Sequence, residues 1–145
     1  MSANGDLLVG REALKAAKPR KRRAVKAPQP SEGQVVTSII NALKLYGCTC
    51  QVNPNEAMSR MAGRGMKILH TILGFPDLTV MSRDGRTAYL EVKAPGAKPR
   101  NAKDVLHWQR QADCRDMLTR MGHVAAQVRS IDDARDVLRA AGWRL

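Results

Sequence analysis

The segment from Gly74 to Lys93 constrains the fold most, because it has the pattern of two β-strands joined by a tight turn. Residues 78–81 and 87–92 are rich in the β-branched, aliphatic and aromatic side chains that fit a pleated surface. An Asp-Gly pair at 84–85 lies between these two runs, and such a pair between apolar runs is a strong hairpin signal. The sequence therefore predicts a β-hairpin that any fold of this chain must accommodate.

The length of the hairpin loop decides which side chains share a face of the sheet. A three-residue loop at 83–85 places Asp77 opposite Glu91, with both carboxylates on one face. A two-residue loop at 84–85 places Asp77 opposite Val92 instead, with its side chain on the other face. The residues alone leave both registers open.

In the first register, two acids and a lysine meet at the end of the hairpin. Lys93 follows Glu91 by two residues and points the same way, because side chains alternate along a strand. Facing carboxylates are destabilising unless a divalent cation that prefers oxygen ligands binds them. The residues thus predict a Mg²⁺ or Mn²⁺ site made by Asp77, Glu91 and the Val92 carbonyl, with Lys93 placed to orient water or neutralise a phosphate. The alternative is a surface hairpin with ordinary polar ends.

The charge of the chain indicates a polyanionic partner. The 145 residues fit one domain and carry a formal charge of +12, from 25 Lys and Arg against 13 Asp and Glu. This favours nucleic acid over a membrane. Neither a signal peptide nor a membrane-spanning segment is apparent, so we expect a cytoplasmic protein. No Walker loop or dinucleotide fingerprint is present, so we expect no nucleotide cofactor.

Basic side chains fall into two groups that could contact a nucleic-acid backbone. Residues 1–30 are interpreted as a flexible basic arm and residues 31–145 as the domain; the arm could equally be a solvated tail or reflect a translation start placed too early. The candidate contacts in the arm are Lys18, Arg20, Lys21, Arg22 and Arg23. In the domain the basic candidates are Arg64, Lys67, Lys98, Arg100 and Lys103, and the neutral Gln109 is a further candidate contact.

The remaining hydrophobic pattern predicts three helices and two further strands. A first helix follows Ser31 and ends at Gly47, a strand covers 48–52, and the hairpin is followed by a helix over 104–121, a strand over 123–128 and a helix over 131–141. This order, α-β-β-β-α-β-α, predicts an α/β fold with a mixed sheet flanked by helices. Glu32, in the first turn of the first helix, is either an ordinary first-turn acid or a further acid that reaches the cluster.

The motifs in this order resemble the PD-(D/E)xK nuclease superfamily, and the finer pattern resembles its VRR-NUC (virus-type replication-repair nuclease) branch. The shared pattern comprises the helix glutamate, Gly-x-Pro-Asp-Leu, Leu-Glu-Val-Lys-Ala-Pro-Gly, a helix glutamine and a Val-x-Arg-Ser strand end, over about residues 31–141. The resemblance implies a restriction-endonuclease-like core and a Mg²⁺- or Mn²⁺-dependent DNA endonuclease specific for branched or junction DNA, similar to Holliday-junction resolvases. Standalone members are typically dimeric and phage-encoded, which would place this chain in the host cytoplasm.

The resemblance also implies roles for single residues. It implies that Asp77 and Glu91 bind the metal, that Lys93 is the catalytic lysine, and that Glu32 is the helix acid and a further candidate ligand. The glutamine is either Gln109 or Gln111, and its usual distance from the glycine at 122 favours Gln111. The competing interpretation is a non-catalytic basic module that binds DNA or junctions. The implied catalytic set is Asp77, Glu91, Lys93, Gln111 and Glu32.

Overall fold

A computed structural model describes residues 27–54 and 72–145, and within them the predicted order of elements is confirmed. The second helix begins two residues earlier than predicted, because the Asn101 side chain accepts a hydrogen bond from the Asp104 N–H and caps it there. The elements are α1 (Glu32–Leu45), β1 (Thr49–Val52), β2 (Leu78–Met81), β3 (Thr87–Val92), α2 (Ala102–Arg120), β4 (Val124–Val128) and α3 (Ile131–Ala140).

The four strands form one mixed sheet in the order β1-β2-β3-β4. The first three strands are antiparallel to one another, and β4 lies parallel to β3. A parallel neighbour cannot follow through a tight turn, so the chain crosses over through α2 before it returns as β4. Together with the three helices of the described residues, this mixed sheet confirms the predicted α/β, restriction-endonuclease-like fold.

The hairpin takes the three-residue register. Leu78 pairs with Leu90 and Met81 pairs with Thr87. At the loop the Ser82 N–H donates to the Arg86 carbonyl at 3.0 Å, and Gly85 has a left-handed φ of 84°. Only glycine adopts that conformation at little cost, so Gly85 suits the last position of this three-residue loop.

The sheet has one aliphatic face and one mixed face. Leu78, Val80, Leu90 and Val92 point to the aliphatic face and form the core with α1 and α3. Because side chains alternate, Glu91 points to the opposite face, where Gln111 of α2 contacts it. The full core cluster comprises Val35, Ile39, Leu43, Cys48, Leu78, Val80, Ala88, Leu90, Val92, Val128, Ala134, Leu138 and Trp143.

The loop before β2 approaches the backbone of α2 closely at Gly74. This glycine has a φ of 76°, and a Cβ atom built on it would lie 2.6 Å from the carbonyl carbon and oxygen of Arg110. No side chain fits in that space, so glycine lets the segment that leads to Asp77 rest directly on α2. The contact sets the distance between the start of β2 and the middle of α2.

The described helices do not include one that is both long and apolar enough to cross a lipid bilayer. The predictions for the basic residues of the arm, from Lys18 to Arg23, and for Arg64 and Lys67 lie outside the described residues.

Candidate active site

Asp77 lies at the start of β2, where its backbone and side chain are both held by neighbouring strands. Its carboxylate accepts a hydrogen bond from the Val92 N–H at 2.8 Å. Its carbonyl accepts from the Asn53 N–H at 2.8 Å, and the Asn53 amide donates to the preceding carbonyl of Pro76 at 2.8 Å. Because the N–H and C=O of one residue point to the same side of an extended strand, the Val92 carbonyl is directed to the same side as Asp77.

Glu91 is a fully buried carboxylate on an inner strand. One oxygen, Oε1, accepts hydrogen bonds from Lys93 Nζ at 2.5 Å and from the Gln111 amide. The other, Oε2, is buried and has no hydrogen-bond partner among the residues that the structure describes. Burial, followed by the negative charge of Asp77, raises the pKa of Glu91 from 4.5 to about 7, although Lys93 opposes this shift.

Lys93 follows the end of β3, and its ammonium lies between several side chains. The residue is only 5% exposed. Besides Glu91, its Nζ lies 4.0 Å from a carboxylate oxygen of Glu32 and 5.7 Å from the centre of the Trp108 ring. Glu32 lies in the first turn of α1, where Ser31 and Gln34 form a capping box that fixes the start of the helix. Glu32 is therefore connected to the acid cluster by its ion pair with Lys93.

A cleft of about 600 Å³ opens beside this lysine. Two of the predicted nucleic-acid contacts, Lys98 and Arg100, line it, whereas Lys103 does not. Arg100 forms an ion pair with Asp104 at 3.8 Å. The lining residues are Glu32, Lys93, Gly96, Ala97, Lys98, Arg100, Asp104, His107 and Trp108.

The two candidate glutamines differ in their surroundings. Gln111 is buried and donates to Glu91. Gln109 is exposed and donates to Asp113 at 2.8 Å, one helical turn further along α2. The structure brings Gln111 to the acid cluster and leaves Gln109 at the helix surface.

The oxygen atoms at this end of the sheet are of the kind that bind a hard divalent cation. Mg²⁺ and Mn²⁺ prefer carboxylate and carbonyl oxygens, which Asp77, Glu91 and Val92 offer. The unpartnered Oε2 of Glu91 is a buried acceptor of the kind that a cation would satisfy. Within residues 27–54 and 72–145 no three His, Cys, Asp or Glu side chains are grouped closely enough to form a site on their own. Backbone and water would have to complete the coordination.

Three residues near the cluster were not predicted from the sequence. Asn53 fixes the backbone before Asp77, and Trp108 and His107 line the cleft. A signal for Trp108 exists, because it precedes Gln111 by three residues and therefore shares its helix face. Asn53 gave no such signal, because its contact depends on the pairing of β1 with β2.

Comparison with known proteins supports the fold. No protein-family model and no curated protein sequence matches this chain. Solved structures do match, among them the following two. One, described as a VRR_NUC domain, has 20% identity and a TM-score of 0.50, and the match covers 74% of this chain and 94% of that one. The other, described as a VRR_NUC domain protein, has 20% identity and a TM-score of 0.51, with 77% and 88% covered. The chain therefore has the fold of these VRR_NUC domain structures.

Proposed function

We propose that this protein is a metal-dependent DNA endonuclease of the VRR-NUC type. One observation carries the proposal: a fully buried glutamate, Glu91, shares one oxygen between Lys93 and Gln111 and has a second oxygen without a partner among the described residues. A buried carboxylate beside a second acid, Asp77, is costly in a protein that only binds DNA. The same arrangement is useful where a cation and a phosphate must be held together.

In this proposal Asp77, Glu91 and the Val92 carbonyl hold Mg²⁺ or Mn²⁺, and Glu32 is a further candidate ligand. When bound, the cation supplies positive charge that polarises a phosphodiester and makes water a better nucleophile. The Asp77 carboxylate is kept in place by the Val92 N–H, and Glu91 is kept in place by Gln111. The site is therefore preorganised by hydrogen bonds that do not depend on the cation.

Lys93 is the catalytic lysine in this proposal. Its ammonium lies at the boundary between the buried Glu91 and the open cleft, so it can reach a phosphate oxygen or a water from the protein side. There it would neutralise negative charge that develops during hydrolysis or orient the attacking water. Glu32, 4.0 Å from the same ammonium, would limit how far it moves.

The substrate we propose is DNA, and branched or junction DNA in particular. Lys98 and Arg100 line the cleft beside Lys93 and would hold the phosphate backbone without reading sequence. Symmetric cleavage of a junction needs two active sites, so we also propose a two-fold homodimer. Light scattering coupled to size exclusion tests the dimer: a mass of about 32 kDa supports it and a mass of 16.0 kDa contradicts it.

A cleavage assay with matched variants tests the function. Wild type, Lys93→Ala and Asp77→Asn are given supercoiled plasmid, linear duplex, flap and four-way junction DNA, each with Mg²⁺, Mn²⁺ or EDTA. We expect cation-dependent cutting by wild type, loss of at least 100-fold in rate in both variants, and DNA binding at low salt that stays within a few-fold. Lys44→Ala is the control, because Lys44 is an exposed lysine near the far end of α1 from Glu32.

The results separate the candidate functions. Cleavage by Lys93→Ala at the wild-type rate would refute the assignment of the site. Tight binding without cleavage of any substrate would support the non-catalytic DNA-binding module instead. A preference among the four substrates would identify resolvase, flap or nicking activity.

A further inference from the structure

Lys93 is followed by a turn whose shape is maintained by a distant arginine. Residues 94–97 leave the end of β3 and line the cleft at Gly96 and Ala97. The Arg129 guanidinium, at the end of β4, donates from Nη1 to the carbonyls of Ala94 at 3.1 Å and Ala97 at 3.2 Å. One guanidinium thus closes the turn that begins immediately after Lys93.

The backbone on the other side of Lys93 is also held by β4. The Lys93 N–H donates to the Val128 carbonyl at 3.0 Å, and Val128 immediately precedes Arg129. The backbone N–H of Arg129 donates to Asp133 at 2.8 Å, which ties this strand end to the first turn of α3. The main chain around Lys93 is therefore fixed from the end of β4.

The Lys93 ammonium and the Arg129 guanidinium also share one aromatic ring. Lys93 Nζ lies 5.7 Å and Arg129 Cζ 5.8 Å from the centre of the Trp108 indole, both within the range of cation–π attraction. Arg129 therefore reaches the turn after Lys93 and the ring beside its ammonium at the same time. A planar guanidinium can stack on a ring and donate in its plane simultaneously, whereas a lysine ammonium cannot.

We propose that Arg129, together with Trp108, is a positioning residue for Lys93. Arg129 touches neither DNA nor cation in this assignment; it fixes the turn 94–97 and the indole, and these keep the Lys93 ammonium at the mouth of the cleft. The proposal rests on the proposed nuclease function for its kinetic consequence, but the position of the lysine can be measured without cleavage.

The kinetic test compares four variants on one DNA substrate. Arg129→Gln and Trp108→Leu should lower kcat about 10- to 100-fold with KM within about two-fold, because a catalytic group displaced by about 1 Å loses rate rather than affinity. Trp108→Phe keeps an aromatic face and should recover most of the loss. Arg129→Lys keeps the positive charge but not the planar arrangement of N–H donors, so it should recover only part of the loss in kcat.

Arg135→Gln is the matched control. The Arg135 guanidinium also lies over an aromatic ring, 5.8 Å from the centre of Tyr46, and it forms an ion pair with Asp132 at 3.4 Å. It therefore resembles Arg129 in chemistry but lies within α3, next to the C-terminal end of α1. Its kcat should equal that of wild type.

Chemical labelling of Lys93 separates this proposal from the nuclease proposal. The folded protein is treated briefly with an acetylating N-hydroxysuccinimide ester, and the modification of Lys93 is measured by mass spectrometry relative to the exposed Lys44. Lys93 should react at least about five-fold faster in Arg129→Gln than in wild type, and at the wild-type rate in Arg135→Gln. Alkylation of the buried Cys48 thiol should stay slow in all of them, which excludes general unfolding.

Each outcome has one meaning. Unchanged labelling of Lys93 in Arg129→Gln, or a loss that appears in KM while kcat stays constant, would overturn the positioning role. If wild type cleaves none of the DNA substrates, the nuclease proposal fails, while faster labelling in Arg129→Gln would still establish that Arg129 positions the lysine. Faster labelling together with reduced kcat supports both.

Discussion

At the scale of single residues, Glu91 combines features that rarely occur together. It is fully buried, and the negative charge of Asp77 acts on it. Only one of its two carboxylate oxygens has hydrogen-bond partners among the described residues. Lys93 compensates part of this cost through its ion pair at 2.5 Å. A glutamate in such surroundings holds its proton near neutral pH unless a further positive charge arrives.

The raised pKa of Glu91, about 7, predicts how stability depends on pH when no cation is present. The pKa in the folded protein lies above the unfolded value of 4.5, so this group stabilises the fold below pH 4.5, and that contribution is lost as pH rises through about 7. Glu91→Gln cannot ionise. We expect the free energy of unfolding of the variant, relative to wild type, to rise by about 2–3 kcal/mol between pH 5 and pH 8 in EDTA.

Urea denaturation at pH 5, 6.5 and 8 measures this difference. Added Mg²⁺ at pH 8 should raise the free energy of unfolding of wild type and leave Glu91→Gln nearly unchanged, because binding to the folded state alone is stabilising. Parallel pH curves for the two proteins would contradict the burial of an ionisable group at this position.

At the scale of elements, the site depends on how closely the loop before β2 rests on α2. Gly74 makes that contact against the backbone of Arg110, next to Gln111, and three residues before Asp77. A change in this contact would alter the distance between the first acid and the glutamine that supports the second. The loop therefore connects stability with the geometry of the site.

Substitution of glycines with alanine tests this contact. Gly74 and Gly122 both have a positive φ, but a Cβ atom at Gly122 would have open space around it. We expect Gly122→Ala to cost about 1–2 kcal/mol from backbone conformation alone and Gly74→Ala a further 1–3 kcal/mol from the clash. Gly74→Ala should also lower the cleavage rate under conditions where it remains folded.

Thermal or urea unfolding measures the loss of stability in the two variants, and the cleavage assay measures their rates. Equal stability losses in the two variants would mean that the loop moves away from α2 without cost. A stability loss without a change in rate would mean that the loop does not control the site.

The sequence predicted the elements better than it predicted their contacts. The hairpin could be read from residues, because an Asp-Gly turn with a left-handed Gly85 is local chemistry. The choice between its two registers was open in the sequence and is given by the pairing of β2 with β3. The rotation of α2 could not be read in this way, because its apolar residues Val105 and Leu106 are more than half exposed. The choice between Gln109 and Gln111 depended on that rotation.

Contacts between distant parts of the chain also could not be predicted from the sequence. Arg129 belongs to the Val-x-Arg-Ser pattern seen in the sequence, but its bonds to Ala94 and Ala97 depend on β4 lying parallel to β3. No periodicity in either segment indicates that pairing. The acids, Lys93 and the preference for Gln111 could therefore be found from the sequence, whereas the supporting contacts of Asn53 and Arg129 could not.

At the scale of the whole molecule, charge is divided between the domain and the residues that precede it. Residues 1–30 carry 8 basic and 2 acidic side chains, and the rest of the chain carries the remaining 17 and 11. Each part therefore has the same net charge. Both residues 1–30 and the domain can contribute to DNA binding, and the salt dependence of binding distinguishes their contributions.

Deletion of residues 1–26 should weaken binding to duplex DNA. The slope of a plot of the logarithm of the binding constant against the logarithm of the salt concentration should become less negative by at least about 2. Cleavage of saturating DNA at low salt should continue, because the acids and Lys93 lie in the domain. Fluorescence anisotropy between 50 and 300 mM KCl, on wild type and the deleted chain, measures both slopes. An unchanged slope would mean that this segment makes no phosphate contacts.

The hydrogen bond from Gln111 to Glu91 joins parts of the chain that a ribosome makes at different times. When the ribosome has synthesised the hairpin with both acids, α2 is still to be made, and β4, which holds the backbone of Lys93, comes later still. An incomplete chain would carry the acids without the contacts that hold them. If the proposed nuclease activity is correct, it would begin only when synthesis is almost finished, so a cell would not be exposed to DNA cleavage by unfinished or truncated copies of this protein.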